Sequence, residues 1–158
     1  MLFIEKKPLV ASASATADIP IAPLFALMGE QFAANYKKWS PEVRDLQMLT
    51  PPPIRPGTIF RQVRVDHGHK SDSRFTVSAF NPPSVLAFRE LNDRYRCSYQ
   101  LETTGDADEK TRISFTFEFP DLEPYMRPFE KLVRLAIQEG ATKTVDNLKA
   151  FSENAYRI

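Results

Sequence analysis

The sequence predicts an α+β fold: a curved antiparallel sheet of about seven strands wrapped around one long C-terminal helix, with two short helices after the first strand. Three observations carry this. Strand-like runs separated by turn signals fill residues 58–119, and a single long amphipathic stretch follows them. A small-residue alternation opens the chain ahead of a pair of short helical runs. A lone amphipathic helix must bury its stripe, and the concave face of the preceding sheet is the surface on offer.

Residues 9–18 alternate small apolar with hydroxyl side chains, the period of a strand with one face inward. Pro20 and Pro23 punctuate its exit, and Pro23 suits a first helical turn. Leu24, Phe25, Leu27, Met28 and Phe32 then fall at helical spacings to about Ala34, with Gly29 dividing the run in two. Asn35 to Pro41 reads as a turn-rich exit, since Pro41 biases Ser40 away from helix. Val43 to Leu49 reads as a short strand. Pro51, Pro52, Pro53 and Pro56 with Gly57 make a stiff loop.

Further strands are expected over Thr58–Asp66, Ser73–Phe80, Val85–Leu91, Arg94–Thr104 and Thr111–Phe119. Turn signals separate them: Asp66-His67-Gly68-His69, Asn81-Pro82-Pro83, Asn92-Asp93 and Gly105-Asp106-Ala107-Asp108. The last strand is the clearest, with Ile113, Phe115, Phe117 and Phe119 on one face. Arg112, Ser114, Thr116 and Glu118 occupy the other. The terminal helix is expected to begin between Asp121 and Pro128 and to run to about Ala155. Its apolar stripe is Phe129, Leu132, Val133, Ala136, Ile137, Gly140, Thr144, Leu148 and Phe151.

At 158 residues, with no repeat and no linker, residues 1–158 read as one domain. Twelve Phe and five Tyr against one Trp suit a densely packed aromatic core or a lined cavity. The net charge of +1 gives no electrostatic reason to expect nucleic acid or an anionic membrane as partner. Cys97 is the only cysteine, so no intrachain disulfide can form. Ala11-Ser12-Ala13 and Ala13-Ser14-Ala15 look like signal-peptidase sites. Glu5, Lys6, Lys7 and Pro8, however, occupy the place of the apolar segment that such a signal needs. The expectation is a cytoplasmic protein without integral membrane association.

The order and spacing of these signals resemble a known family. The relevant residues are the small-residue strand with Ile19-Pro20-Ile21-Ala22-Pro23-Leu24-Phe25-Ala26-Leu27, then Asn35-Tyr36-Lys37-Lys38-Trp39-Ser40-Pro41-Glu42-Val43 and Pro56-Gly57-Thr58. Asn81-Pro82-Pro83-Ser84-Val85-Leu86-Ala87-Phe88 follows, then Lys110-Thr111-Arg112-Ile113 before the aromatic strand, and the long final helix. Over roughly residues 9–153 the chain resembles the START-related helix-grip (SRPBCC) superfamily, within it the polyketide cyclase/dehydrase and lipid-transport group. The resemblance implies a cavity between sheet and C-terminal helix that binds a small hydrophobic molecule or lipid, and no cofactor is expected. Two alternatives accompany this carrier reading: a cyclase/dehydrase-type enzyme acting in the same cavity, and a protein-binding, co-chaperone-like module.

Strand parity and the helix stripe nominate Phe75, Val77, Tyr99, Phe115, Phe117, Phe129, Val133 and Ile137 as cavity lining. Arg61 shares parity with Ile59, Val63 and Val65, so it either meets a ligand anion or lies at the rim with its head in solvent. Arg89 shares parity with Val85, Ala87 and Leu91, while Leu86 and Phe88 compete as the inward set. Tyr36 and Trp39 fall where the resemblance places a cavity mouth, near Met126 and Phe129. There they either contact ligand or plug the core. Tyr99 shares a face with Tyr95 and Cys97, and its hydroxyl is a candidate orienting donor. Cys97 reads as a small buried hydrophobe. Gly140 suggests either close sheet approach or extra room in the cavity. His67 and His69, near Asp66 and Asp72, sit on a hairpin tip that offers no converging third or fourth ligand, and no metal is expected.

Overall fold

The computed structural model describes residues 7–105 and 109–157. Seven antiparallel strands form one sheet: β1 (Leu9–Ala17), β2 (Val43–Met48), β3 (Ile59–Asp66), β4 (His69–Asn81), β5 (Val85–Glu90), β6 (Arg96–Thr104) and β7 (Lys110–Phe119). Their spatial order is β1-β7-β6-β5-β4-β3-β2, so the first strand closes against the last and β2 forms the opposite edge. Between β1 and β2 the chain makes α1 (Ile21–Phe25), a π-helical turn (Ala26–Glu30) and α2 (Phe32–Trp39). A short 3-10 turn (Arg127–Phe129) leads into α3 (Glu130–Tyr156), 27 residues long. The predicted fold class is the observed one. The turn expected at 105–108 falls largely outside the described residues.

Three local readings are corrected. α2 continues to Trp39 where an exit turn is predicted after Ala34. Its inward stripe is Phe32, Asn35, Tyr36 and Trp39, and Asn35 donates its side-chain amide to the Leu27 carbonyl. The polar composition of Asn35, Lys37 and Lys38 hides that stripe. The second correction is the inward face of β3, which is Phe60, Gln62 and Arg64 rather than Ile59, Arg61, Val63 and Val65. Phe60 pairs with Phe75 in the register and both are buried. Third, β6 begins at Arg96, because Asn92 and Arg94 both donate backbone N–H groups to the Glu90 carboxylate and lengthen the turn. The tight turn between β3 and β4 is as expected, with positive φ at His67 and Gly68 (51° and 79°).

β1 is an edge strand, and its small side chains let α3 pack closely over it. Ala141, Val145, Leu148 and Ser152 are the buried face of the helix. Gln138 donates to the Ser12 carbonyl at 2.9 Å and Lys149 to the Thr16 carbonyl at 2.8 Å, so the helix also satisfies carbonyls of the edge strand. Asn147 donates to the Trp39 carbonyl at 3.1 Å, tying the end of α2 to the same helix.

Two glycines in helical segments have opposite environments. A Cβ on Gly29 would stand 2.7 Å from the buried Phe25 ring, which is itself packed edge-on against Phe80. A Cβ on Gly140 meets nothing within 4 Å, which removes close sheet approach as the explanation for this exposed residue. Gly29→Ala should therefore cost about 1–3 kcal/mol through overpacking. Gly140→Ala should gain about 0.5–1 kcal/mol through helix propensity. Urea unfolding of the two variants beside the parent checks both signs.

Candidate functional site

Two helices approach the concave face from opposite sides. α2 lies against β2, and α3 lies against β1 and β7, leaving the inner surfaces of β3 to β6 between them. Beneath α2 this space is filled. Phe32 meets Tyr36, Trp39, Phe60, Phe75 and Phe88 with ring centroids 4.4–6.3 Å apart. Trp39 is 1% exposed and donates its indole N–H to the Tyr99 hydroxyl at 3.1 Å.

The opposite end is open. No residue from 129 to 140 is buried, and Phe129, Leu132 and Leu135 are 58%, 65% and 67% exposed. Across from this stretch Ser73, Tyr95, Cys97, Phe117 and Phe119 on the sheet side are half-buried, as are Val133 and Ile137 on the helix. The Tyr95 ring stacks on Phe117, and Phe117 meets Phe119 edge-on. The inward residues of the first turns of α3, Val133, Ala136 and Ile137, are thus only half-buried, and with Phe117 and Phe119 they mark a partly open aromatic end, the mouth.

A polar cluster lies along the concave surface of β3, β4 and β6. Arg64 is held on three sides: Nε and Nη2 each donate to Asp66 at 3.1 Å, and Nη1 donates to the Tyr36 hydroxyl at 3.1 Å and to Ser40 at 3.4 Å. Burial opposes its charge, but Tyr36 and Asp66 outweigh burial and keep the guanidinium protonated. Gln62 donates through Nε2 to the Tyr95 hydroxyl at 2.9 Å, and that hydroxyl also pairs with Ser73 at 2.9 Å. Burial raises the phenols of Tyr36, Tyr95 and Tyr99 above their ordinary range. It also pushes the Cys97 thiol up to about 12, against the pull of Arg64. These groups are all held neutral at physiological pH.

The nominated residues divide accordingly. Phe75, Val77, Tyr99 and Phe115 are buried on the concave face, and Phe117, Met126, Val133 and Ile137 are half-buried toward the mouth. Phe129 projects largely into solvent. Tyr36 and Trp39 belong to the filled end rather than the mouth. Arg61 leaves the candidate set. It lies on the convex face, clamped by Asp72 through bonds of 3.0 and 2.7 Å, because inward parity in β3 runs through Phe60. Arg89 is also convex and borders a shallow open groove of about 370 Å³. Gln62, Arg64 and Ser73 are the site residues that sequence reasoning misses. Anchoring parity on Phe60, the one aromatic in the strand, would have found the first two.

The model for the family described as polyketide cyclase/dehydrase and lipid transport matches residues 9–153. No curated protein sequence matches the chain. Among solved structures the chain is similar to a Thermus thermophilus protein (TM-score 0.73, 21% identity, covering 92% of this chain and 98% of that one). It is also similar to the Zhui aromatase/cyclase of a Streptomyces species (TM-score 0.77, 13% identity, 96% and 97% covered). A third is truncated norcoclaurine synthase from Thalictrum flavum (TM-score 0.70, 10% identity, 96% and 97% covered). At these identities the likeness is one of fold.

Two expectations follow from the site's packing. Trp39→Ala should cost about 3–5 kcal/mol in chemical denaturation, the range for truncating a fully buried large side chain. A loss below ~1 kcal/mol would contradict the plug role. The second concerns pH. The folded state holds the Cys97, Tyr36, Tyr95 and Tyr99 protons more tightly than the unfolded chain. Their stabilisation is complete below the ordinary thiol and phenol pKa values, begins to fall as pH rises past about 9, and continues to fall until the raised folded values are reached, about 12 for Cys97. The melting temperature should fall across that window. In the same view Cys97 should react with a thiol reagent at pH 8 at least about a hundredfold more slowly when folded than when denatured.

Proposed function

The chain belongs to the polyketide cyclase/dehydrase and lipid-transport family, and we propose that it binds a small hydrophobic molecule on the open part of its concave face, as a carrier. One observation carries this reading. Phe117 and Phe119 on β7 and Val133 and Ile137 on α3 are apolar residues that remain half-exposed. A half-exposed aromatic wall beside a rigid core is the kind of surface that gains from covering by an apolar ligand. The filled end under α2 supplies a floor with little freedom to collapse. The state of the polar groups favours binding over proton transfer. Tyr36, Tyr95, Tyr99 and Cys97 are all displaced upward, away from the range where a general acid or base works at neutral pH.

A cyclase/dehydrase-type reaction in the same space is the second reading, favoured by the fold shared with the Streptomyces aromatase/cyclase. The two differ in what happens to a bound molecule. Native mass spectrometry of protein purified from its own host should reveal a co-purified small molecule whose mass stays constant on incubation. A change in that mass would favour the enzyme. In parallel, N-phenyl-1-naphthylamine should fluoresce more strongly on addition of the protein. Val133→Asp, at a half-buried wall position, should weaken that binding by about tenfold or more. Absence of both a co-purified molecule and a fluorescence response would sink the binding proposal.

A further inference from the structure

The Gln62 side chain is built into the concave face in an unusual way. The residue is 4% exposed and comes from the middle of β3, with Leu46 beside it on β2 and Ser73 beside it on β4. Its amide nitrogen is committed to Tyr95, whose hydroxyl is shared with Ser73. Its amide oxygen Oε1 is buried and has no hydrogen-bond partner among the described residues. A buried acceptor left without a donor is costly, and folded proteins rarely keep one without a use for it. With the amide nitrogen turned to Tyr95, the oxygen is the end of the carboxamide left as an open acceptor.

We propose that Gln62 Oε1 accepts a hydrogen bond from a hydroxyl on the ligand, which makes the ligand class a neutral alcohol or phenol on an apolar frame. This deepens the binding function proposed above and rests on it. The neighbouring charge selects against an acid. Arg64, the cation of the same strand face, spends Nε and Nη2 on Asp66 and Nη1 on Tyr36 and Ser40. A ligand carboxylate would therefore meet a paired guanidinium and a bare carbonyl oxygen, which repels it. A methyl ether or plain hydrocarbon would leave Oε1 as unpaired as before. Only a donor improves the site. The oxygen is closed to solvent, so a ligand reaches it by moving a neighbour. Tyr95, half-buried, stacked on Phe117 at the mouth and bonded to the same amide, is the neighbour on that path.

The test is a displacement series on the intact protein, with N-phenyl-1-naphthylamine as reporter and three probes on one frame: 2-naphthol, 2-methoxynaphthalene and 2-naphthoate. The expected result is that 2-naphthol displaces the reporter at about tenfold lower concentration than its methyl ether, with the carboxylate weakest. In Gln62→Met, which keeps the length of the side chain and removes the acceptor, the advantage of the naphthol over the ether should shrink to about unity. The comparison among probes on the unmodified protein needs no variant, so poor folding of Gln62→Met cannot obscure it. Equal displacement by naphthol and ether, or tightest binding by the carboxylate, overturns this inference while leaving the binding function standing. Failure of the reporter and of every probe to bind overturns both.

Discussion

The insertion of one helical stripe into the curve of the sheet governs most of what this molecule can do. Phe32, Tyr36 and Trp39 project from α2 onto the concave face and meet Phe60, Phe75, Phe88 and Tyr99. Each ring contact is modest, but together they convert the part of the curved surface beneath α2 into close-packed core. The hydrogen bond from Trp39 to Tyr99 fixes the depth of the insertion. Asn147 on α3 then reads the Trp39 carbonyl, so the same residue sets where the long helix sits. Whatever surface the α2 stripe leaves uncovered is the surface available to a ligand.

That division explains the uneven burial of α3. From Ala141 onward the helix packs on the alanines of β1 and on β7, where small side chains permit close approach. Before Ala141 its inward residues Val133, Ala136 and Ile137 are only half-buried, while Leu132 and Leu135 point away from the buried stripe and are exposed. One continuous amphipathic helix therefore serves two purposes: its second half closes the core and its first half forms one wall of an opening. The polar groups follow the same boundary. Gln62, Ser73 and Tyr95 bond to one another beside the mouth, and Arg64 is held by Asp66, Tyr36 and Ser40, before any ligand arrives. The exception is the Gln62 oxygen.

Much of the fold was legible because it rests on local periodicity. The β7 alternation of Ile113, Phe115, Phe117 and Phe119 with polar residues admits one register, and the observed pairing with β1 and β6 uses it. The His67-Gly68 turn needs positive φ at both positions, which the glycine supplies readily. β3 was misread for a physical reason. Its convex positions carry Ile59, Val63 and Val65, which favour strand geometry for their branched shape as well as for burial, so counting apolar residues chose the wrong face. The helical extension to Trp39 was hidden similarly, since Lys37 and Lys38 are the solvated side of a stripe whose partner rings come from β3, β4, β5 and β6.

The sequence by itself determined the element order, the antiparallel sheet, the long closing helix and a strongly aromatic interior, because each depends on residues near one another in the chain. Only the tertiary structure decided which aromatic rings are plug and which are wall, and that Arg61 faces outward while Arg64 faces in. It alone brought Gln62 beside Tyr95 across 33 residues of chain and left one carboxamide oxygen without a donor among the described residues. Those outcomes depend on the depth at which α2 enters the sheet and on the pairing of distant strands. No local pattern encodes either quantity.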